Sequence, residues 1–548
     1  MPMSDPNLAR ASAWMALGTI FSRVTGLLRS LVLLAVIGSA LNGSIFNVAN
    51  SIPNSLYILV AGGIFNVVLV PQLVRAMKND PDGGDAYANR IVTLGLLVLG
   101  AATVVLMIAV PVLLRMLFGA ELFTDEFTRQ RESAQLLMLL CMPQVFFYGA
   151  FVLVGQILNS RQRFGPMMWA PIVNNLVALG VLAGYAVVFG VAAPGANDGF
   201  STGEAWLLGL GSTAGIAVQA LVLVPYLRQV GFSYRPRFDF RGVGLGHTLK
   251  LGAWTLAFIV VNQISYFVIV RLASGADIAG AQRDTASAGQ VVYDVGFLIS
   301  QVPHGVITVS LATAIIPTLA ARAAEHDYAR MRLELSRTLR LALMLIAPIG
   351  VAIACLGQPI AAVLAGFGAA RDNTEAIGTT ISAFALALVM FSLHYVVLRG
   401  FYALEDTRTP FVIQAGIAAA NIGLAVLFTR GADPIEVSTL LALAYGLAYT
   451  IGLATSGTVL SRRIGTLADP ETVRFVVRLV LACAVTALVM LAGRWAWEQL
   501  APGGDSPAWS LGELVVVGLV GAATTVAAAR LLRIEELRYV VTTVLRRS

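Results

Sequence analysis

Residues 12–40 read SAWMALGTIFSRVTGLLRSLVLLAVIGSA, an apolar run whose only charged residues are Arg23 and Arg29. About 20 apolar residues are enough to cross the hydrocarbon core of a bilayer as a helix. The run is too long for a cleavable signal peptide, and no small-residue cleavage site follows a short apolar core. It therefore predicts a permanent first transmembrane helix.

The rest of the chain repeats this pattern. Of its 548 residues, 57% are hydrophobic and 12% are charged, whereas a soluble domain carries about 25% charged residues. This composition excludes a soluble globular protein, a disordered chain and an ordinary nucleic-acid binder. No nucleophile, zinc or phosphate-loop pattern indicates an enzyme or a metal site.

Apolar runs predict an all-α polytopic membrane protein with fourteen transmembrane helices. Their approximate bounds are 12–40, 44–77, 89–118, 133–158, 166–191, 204–227, 248–273, 287–321, 338–367, 376–402, 410–429, 435–460, 473–497 and 509–532. The second and eighth runs are long and contain prolines, so we expect these helices to be tilted or kinked.

Loop charges set the expected orientation. With the N-terminus in the cytoplasm, 27 of the 37 Lys and Arg residues fall in cytoplasmic segments and 8 in outer ones. Cytoplasmic loops are the ones enriched in Lys and Arg. The count predicts a multi-pass protein of the bacterial cytoplasmic membrane with both termini inside the cell.

Two motif pairs recur at nearly one offset. VPQLVRA (70–76) matches IPTLAARA (316–323), and GQILNSRQRFGP (155–166) matches GFYALEDTRTP (400–410), with offsets of 244 to 246 residues. The first motif ends helices two and eight, and the second ends helices four and ten. Each motif therefore recurs six helices later, which indicates a parallel internal repeat. The predicted domains are an N-lobe at 1–227, a basic linker at 228–247, a C-lobe at 248–460, and two extra helices with a short tail at 461–548.

These residues resemble a known family. FSRVTGLLRSLVLLAVIG (21–38), NVANSIPNSLYILVAGGIFNVVLVPQL (47–73) and VPHGVITVSLATAIIPTLA (302–320) are similar to segments of the MurJ/MviN lipid II flippases, within the MOP exporter superfamily. NDPDGG, which follows the second helix, is similar to the actinobacterial branch.

The resemblance implies a function. It implies alternating access that moves lipid II, the undecaprenyl-pyrophosphate-linked peptidoglycan precursor, from the inner to the outer leaflet. No cofactor is implied, and the energy would come from the membrane potential or from a proton or sodium gradient. Partners would be lipid II, membrane lipids and other cell-wall synthesis or division proteins, with no nucleic acid.

Arg23 and Arg29 are the first candidates for substrate binding. An arginine at the centre of a membrane helix costs about 2.5–3.5 kcal/mol on insertion scales, so it normally faces a partner or a cavity. Its planar fork suits phosphate oxygens. Six residues separate the two side chains by about 9 Å along the helix axis. Alternatively, Arg23 extends to the membrane surface.

The sequence departs from the familiar family pattern at four positions. The basic residue expected after Pro53 and Asn54 is missing, and the arginine expected in helix eight is replaced by Leu298. Ser30 and Gly62 stand where acidic residues are usual. Two central arginines thus remain where the family pattern has four.

Other polar groups are candidates to compensate. Asn47, Asn50 and Asn54 recur at spacings of three and four, so they form one stripe on helix two, either lining a wet cavity or bonding neighbouring helices; we expect the cavity, and therefore substrate binding.

In helix eight, the candidates for coupling or gating are Asp294 and the break at Pro303, His304 and Gly305. A proton switch at His304 competes with a hydrogen bond to a freed carbonyl, and Asp294 could be merely interfacial.

Three rival functions stay open at this stage. A MATE-like drug exporter should carry buried carboxylates for its cations, and buried arginines instead favour an anion. A polysaccharide-unit exporter of the same superfamily is the second rival. A non-transporting cell-wall scaffold would need no interior arginine.

The charge count makes a topology prediction. A cysteine introduced in 120–130 should react with a membrane-impermeant thiol reagent added outside the cell, and one in 231–241 should not. Labelling in the reverse pattern would refute the orientation.

Overall fold

The computed structural model describes residues 6–59, 84–240, 245–500 and 506–536, and in these ranges the chain is helix, turn and loop without β-strand. Backbone groups in hydrocarbon have no water to bond, and a helix satisfies them within one segment. The predicted all-α fold is confirmed.

The first compact unit covers residues 1–271. Its helices are α1 (Pro6–Val36), α2 (Leu41–Tyr57), α3 (Asp85–Ile108), α4 (Val110–Phe118), α5 (Thr128–Cys141), α6 (Gln144–Ser160), α7 (Gly165–Val188), α8 (Thr202–Leu221), α9 (Val224–Gln229) and the first part of α10 (Leu245–Arg283). Three predicted spans are each divided into two helices next to a proline: Pro111, Pro143 and Pro225. Proline lacks the N–H that would continue the helical hydrogen bonds.

The second compact unit begins at Leu272, inside α10. Its further helices are α11 (Gln290–Pro303), α12 (Val309–Ala324), α13 (Tyr328–Ala365), α14 (Thr374–Ala403), α15 (Arg408–Thr429), α16 (Val437–Ile464), α17 (Pro470–Leu500) and α18 (Pro507–Leu531). The predicted four-part domain division stays a prediction.

Thirteen helical segments within the described ranges are long and apolar enough to span a membrane. The second predicted run, 44–77, overlaps α2 but is described only as far as residue 59. The predicted total of fourteen therefore stays a prediction.

The expected irregularity of helix eight lies at its first proline. α11 ends at Pro303, and a π-helical turn at His304–Thr308 joins it to α12. Proline and a widened turn are recognised causes of helix bending. Pro71, in the second run, lies outside the described residues.

Helix packing within each unit confirms the parallel repeat. The spans are numbered here along the chain, separately from the helix labels. In the first unit, four pairs of spans pack together: 2 with 4, 3 with 4, 4 with 6, and 5 with 6. The corresponding pairs 8 and 10, 9 and 10, 10 and 12, and 11 and 12 pack together in the second. Four packing pairs in the same register indicate two copies of one six-helix plan.

The turns after spans 4 and 10 are also alike. Gln162 and Glu405 both have the left-handed backbone conformation, with φ of 64° and 57°. The backbone N–H of Arg163 and that of Asp406 each donate to the carbonyl five residues earlier, at 2.8 and 3.0 Å. This is the hydrogen bond that closes a Schellman helix end, so the repeated sequence motif encodes a repeated turn.

Side chains hold the first of these turns to the segment that follows α9. The guanidinium of Arg161 pairs with Asp85, donates to the carbonyl of Val230 at 2.6 Å and lies over the ring of Phe232. These contacts join the ends of α3 and α6 to the start of the predicted linker.

The linker then follows α3 in an extended conformation. The backbone N–H of Arg235 donates to Asn89 at 2.7 Å, and Arg90 pairs with Asp239 at 2.6 Å. Residues 230–239 are therefore bound along one helix of the first unit.

In the second unit, Asp406 organises the corresponding turn. Its carboxylate accepts hydrogen bonds from the backbone and hydroxyl of Thr409, at 2.9 and 2.5 Å, and from Arg463 of α16 at 2.5 Å. Burial alone would raise the pKa of this carboxyl, but the bonds from Thr409 and Arg463 outweigh burial and lower it.

The two extra helices pack on α13 and on each other. Arg494 of α17 pairs with Glu513 of α18 at 2.9 Å and donates to the carbonyl of Cys355 in α13 at 2.9 Å. The buried side chains of Leu356, Met490 and Val517 form one apolar cluster with Cys355. One guanidinium thus joins all three helices.

The lowered pKa of Asp406 predicts a pH-dependent stability. Its contribution is complete above the unfolded pKa of about 4 and is lost as the pH falls through the lower folded value. Asp406→Asn should therefore lower the thermal unfolding temperature at pH 7, by the equivalent of about 1 kcal/mol given its partial exposure.

That difference from the native chain should begin to shrink below about pH 4, where Asp406 is protonated in the unfolded state. It should vanish only below the lower folded pKa, where Asp406 is protonated in both states. The exposed neighbour supplies the control, since Glu405→Gln removes a carboxylate outside these hydrogen bonds. A deficit of equal size at every pH would contradict the assignment.

Candidate functional site

The two candidate arginines lie on one uninterrupted helix, α1, so their six-residue spacing is that of a regular helix. Arg23 is exposed and Arg29 is half-buried. The two side chains therefore have different surroundings, as the membrane-surface alternative for Arg23 allows.

Arg29 lies beside an aromatic pair. Its guanidinium is close enough to Tyr148 of α6 for an electrostatic interaction. The ring of Tyr148 stacks on Tyr57 of α2 with centroids 5.9 Å apart. Within the described residues, Arg29 has no carboxylate within salt-bridge distance. Its charge thus lies beside the Tyr148 phenol and is not neutralised by an acidic side chain of the described residues.

The amide stripe of α2 meets the same face of α6. Asn47, Asn50 and Asn54 are all half-buried. The side chain of Gln144, which is fully buried, donates to Asn50 at 3.1 Å. Gln144 precedes Tyr148 by one helical turn, so α6 connects Asn50 to Arg29.

α1 is held in place by α7. Asn175 donates to the carbonyl of Ser22 at 3.1 Å and to the hydroxyl of Thr25 at 3.0 Å. A Cβ at Gly18 would lie 2.7 Å from the indole nitrogen of Trp169, whereas one at Gly26 would make an ordinary contact at 3.5 Å. The close approach of α1 and α7 is thus at Gly18.

His304 occupies a buried aromatic site in the second unit. Its Nδ1 is 3.0 Å from the hydroxyl of Ser392, and its ring lies 4.5 Å from Phe391 and 5.1 Å from Tyr395. Arg399 lies over Tyr395 at 4.1 Å. The imidazole at the π-helical turn is therefore bonded to α14 by a side chain, where the sequence had suggested a freed carbonyl as the alternative to a switch.

Asp294 is separate from this site. Its carboxylate accepts from the side chain of Gln290 at 2.9 Å near the start of α11. Ten helical residues place it about 15 Å from His304 along the axis. The four candidates of helix eight thus form one local break, Pro303, His304 and Gly305, and one distant carboxylate.

Ser30, Leu298 and Gly62 stand where the family pattern has charged residues, and the structure describes the first two. The hydroxyl of Ser30 donates to the carbonyl of Gly26 in its own helix at 3.2 Å. Leu298 is half-buried in α11. Gly62 lies outside the described residues.

Sequence reasoning missed Gln144 and Tyr148. Their four-residue spacing on an otherwise apolar run, MPQVFFYGAF (142–151), is the signal that could have found them. In the described part of the chain, no three His, Cys, Asp or Glu side chains come together as metal ligands would.

An all-helical chain with two copies of a six-helix plan and a cation inside its first span has the architecture of a membrane transporter. A solved structure titled as a lipid II flippase MurJ in an inward closed conformation superposes with a TM-score of 0.70 at 20% identity, over 94% of this chain and 99% of that one. An inward-facing multidrug resistance MATE transporter of the MOP superfamily gives 0.61 at 15% identity, over 80% and 95%. These likenesses confirm the fold.

Sequence comparison defines the family. The family model described as lipid II flippase MurJ matches residues 33–504. A protein of Haemophilus influenzae named as a probable lipid II flippase MurJ is 28% identical over 423 residues, which are 75% of this chain and 78% of that protein. The chain belongs to the MurJ lipid II flippase family, and so to a family of transporters and not of enzymes. Its place in the actinobacterial branch stays a prediction.

Proposed function

We propose that this chain moves lipid II from the inner to the outer leaflet of the cytoplasmic membrane by alternating access, with Arg29 as an anchor for the pyrophosphate. Family membership supports the substrate. The observation that carries the role of Arg29 is a half-buried guanidinium in a spanning helix with no carboxylate in reach among the described residues. An anionic ligand would offset its cost in the membrane.

The polar face beside Arg29 suits the rest of such a headgroup. Tyr148 lies beside the guanidinium, and one helical turn away on the same helix Gln144 donates to the amide oxygen of Asn50. These groups donate to and accept from sugar hydroxyls and peptide amides. We therefore assign substrate binding to Arg29 and Asn50 with these two neighbours, and keep Asn47 and Asn54 as further contacts and Arg23 as an outer contact.

The charge of the site distinguishes this proposal from its rivals. The substrates of a MATE-like exporter are organic cations. The positive charge of Arg29 would repel them in a medium of low dielectric constant. A polysaccharide-unit exporter shares the lipid pyrophosphate chemistry and differs in the sugar. A scaffold that transports nothing would gain no benefit from Arg29.

Orientation, energy source and protein partners belong to the same proposal. We place both termini in the cytoplasm on the basis of the Lys and Arg count. The membrane potential or a proton or sodium gradient drives transport, and other cell-wall synthesis or division proteins are its protein partners. Within helix eight, His304 at the π-helical turn acts as a proton-sensitive gate, and Asp294 is a second coupling candidate.

Removing the anchor should stop transport without unfolding the protein. Arg29→Ala removes a charge that is costly to insert, so the protein should still accumulate in the membrane. A hydrogen bond to a charged group contributes about 1.5–3 kcal/mol, so affinity for lipid II should fall roughly 10- to 150-fold. A leaflet-specific assay of lipid II in a strain depleted of its own flippase measures the loss.

Two variants serve as controls. Arg29→Lys should restore transport only in part, since a point charge replaces a two-pronged donor, and Arg23→Ala should be milder because Arg23 is exposed. Full complementation by Arg29→Ala at native expression would exclude Arg29 as the anchor.

The gate makes a separate prediction. Histidine changes its charge between about pH 5 and 8, so His304→Gln should flatten the pH dependence of transport over that range. Ser392→Ala removes the bonded hydroxyl but keeps the imidazole, and it should retain a pH-dependent rate. An unchanged profile in His304→Gln would leave His304 with a structural role alone.

A further inference from the structure

A pocket of about 620 Å³ lies in the second unit, away from His304 and Asp294. Sections of α13, α14, α16 and α17 form its walls. Its volume is within the range of about 300–1,000 Å³ typical of ligand sites. Nothing in the proposed transport role of Arg29 accounts for it.

The pocket is apolar along most of its length and basic at one end. Leu343, Val397, Leu453 and Phe475 contribute one apolar wall from each of the four helices. Arg462 lines the other end. Along α16, nine residues separate Leu453 from Arg462, a distance of about 14 Å. A long apolar slot with a cation at its mouth is complementary to an amphiphile that has an apolar chain and an anionic headgroup.

One wall of the slot is exposed along α16. Ala454, Thr458 and Arg462 follow one another at intervals of four, so they share a face of α16, and all three are exposed. A Cβ added at Gly457 would meet nothing within 4 Å. In a spanning helix an exposed apolar face contacts hydrocarbon, so a lipid chain can enter this slot from the side.

Two charged side chains near the mouth of the slot, Arg340 and Asp469, already have partners. Arg340 pairs with Glu471 and Glu536 at 2.7 and 3.0 Å. Asp469 accepts the backbone N–H of Thr472 at 2.7 Å and thereby caps α17.

In the described ranges Arg462 has no carboxylate within 4 Å, and Arg463 beside it is already paired with Asp406. One guanidinium that lines the slot is therefore left for an external anion.

We propose that this slot, the α16–α17 groove, binds a membrane glycerophospholipid. One acyl chain fills the slot beside Leu343, Val397 and Phe475, and the guanidinium of Arg462 binds the phosphate. Basic pockets between membrane helices bind lipid headgroups in this way, and arginine fits phosphate with two parallel hydrogen bonds. The site uses the second unit alone and is independent of the proposed transport of lipid II.

The test is native mass spectrometry of the full-length, delipidated chain titrated with phosphatidylglycerol of defined chain length. The native chain should bind one molecule more tightly than the rest of the annular lipid. Arg462→Gln should weaken that first binding step about tenfold or more. Gly457→Trp, which places an indole in the slot, should abolish it.

Arg474→Gln is the matched control. Arg474 is exposed and adjacent to Phe475 in the sequence, but Arg474 does not line the slot. It should bind like the native chain. Arg462 is itself exposed, so its variant tests the site even if Gly457→Trp fails to fold. Equal first-step affinity in the Arg462 and Arg474 variants would refute the proposal.

A second titration distinguishes this lipid from the isoprenoid carrier of the substrate. Undecaprenyl phosphate added in competition should not displace the phospholipid at equal concentration. Stoichiometric displacement at that concentration would overturn the proposal and assign the groove to the polyprenyl chain.

Discussion

Inside a bilayer, every charge and every backbone amide must find its partner within the protein or its ligand. The backbone meets this constraint by being helical in the described membrane-spanning segments, and prolines mark the places where spans are divided. Side-chain charges meet it in two ways. Arg494 is paired with Glu513 and joins three helices, whereas Arg29 is placed beside Tyr148 with no acidic partner in the described residues. The first arrangement stabilises the fold, and the second is suited to binding an anion.

The same distinction explains how much the sequence could predict. Spans follow from apolar length alone, so the described helices agree with the predicted runs to within several residues at most ends. Charge inside an apolar run is equally visible, and it identified Arg29 directly. Gln144 and Tyr148 escaped notice because an amide and a phenol in an apolar helix are common and uncharged. Their importance comes from facing Asn50 and Arg29, which only tertiary packing shows.

Proline positions were visible in the sequence, but their structural outcome was not. Pro303 precedes a π-helical turn, whereas Pro111, Pro143 and Pro225 separate consecutive helices within single spans. A missing N–H is the same local defect in each case, and the neighbouring helices decide how it is accommodated. The hydrogen bond between His304 and Ser392 is one such accommodation, since it fixes the widened turn to α14.

The paired turns at Gln162 and Glu405 show which features the two repeats share and in which they differ. Backbone shape was kept, down to a left-handed residue that is not glycine in either copy. The chemistry holding each turn was not kept: in the first unit a cation of the turn itself, Arg161, reaches outward, and in the second an anion, Asp406, receives Arg463 from another helix. The two repeats thus share the backbone conformation of this turn but not the side chains that hold it in place. A role assigned to a residue of one lobe does not transfer to its counterpart by adding the repeat length.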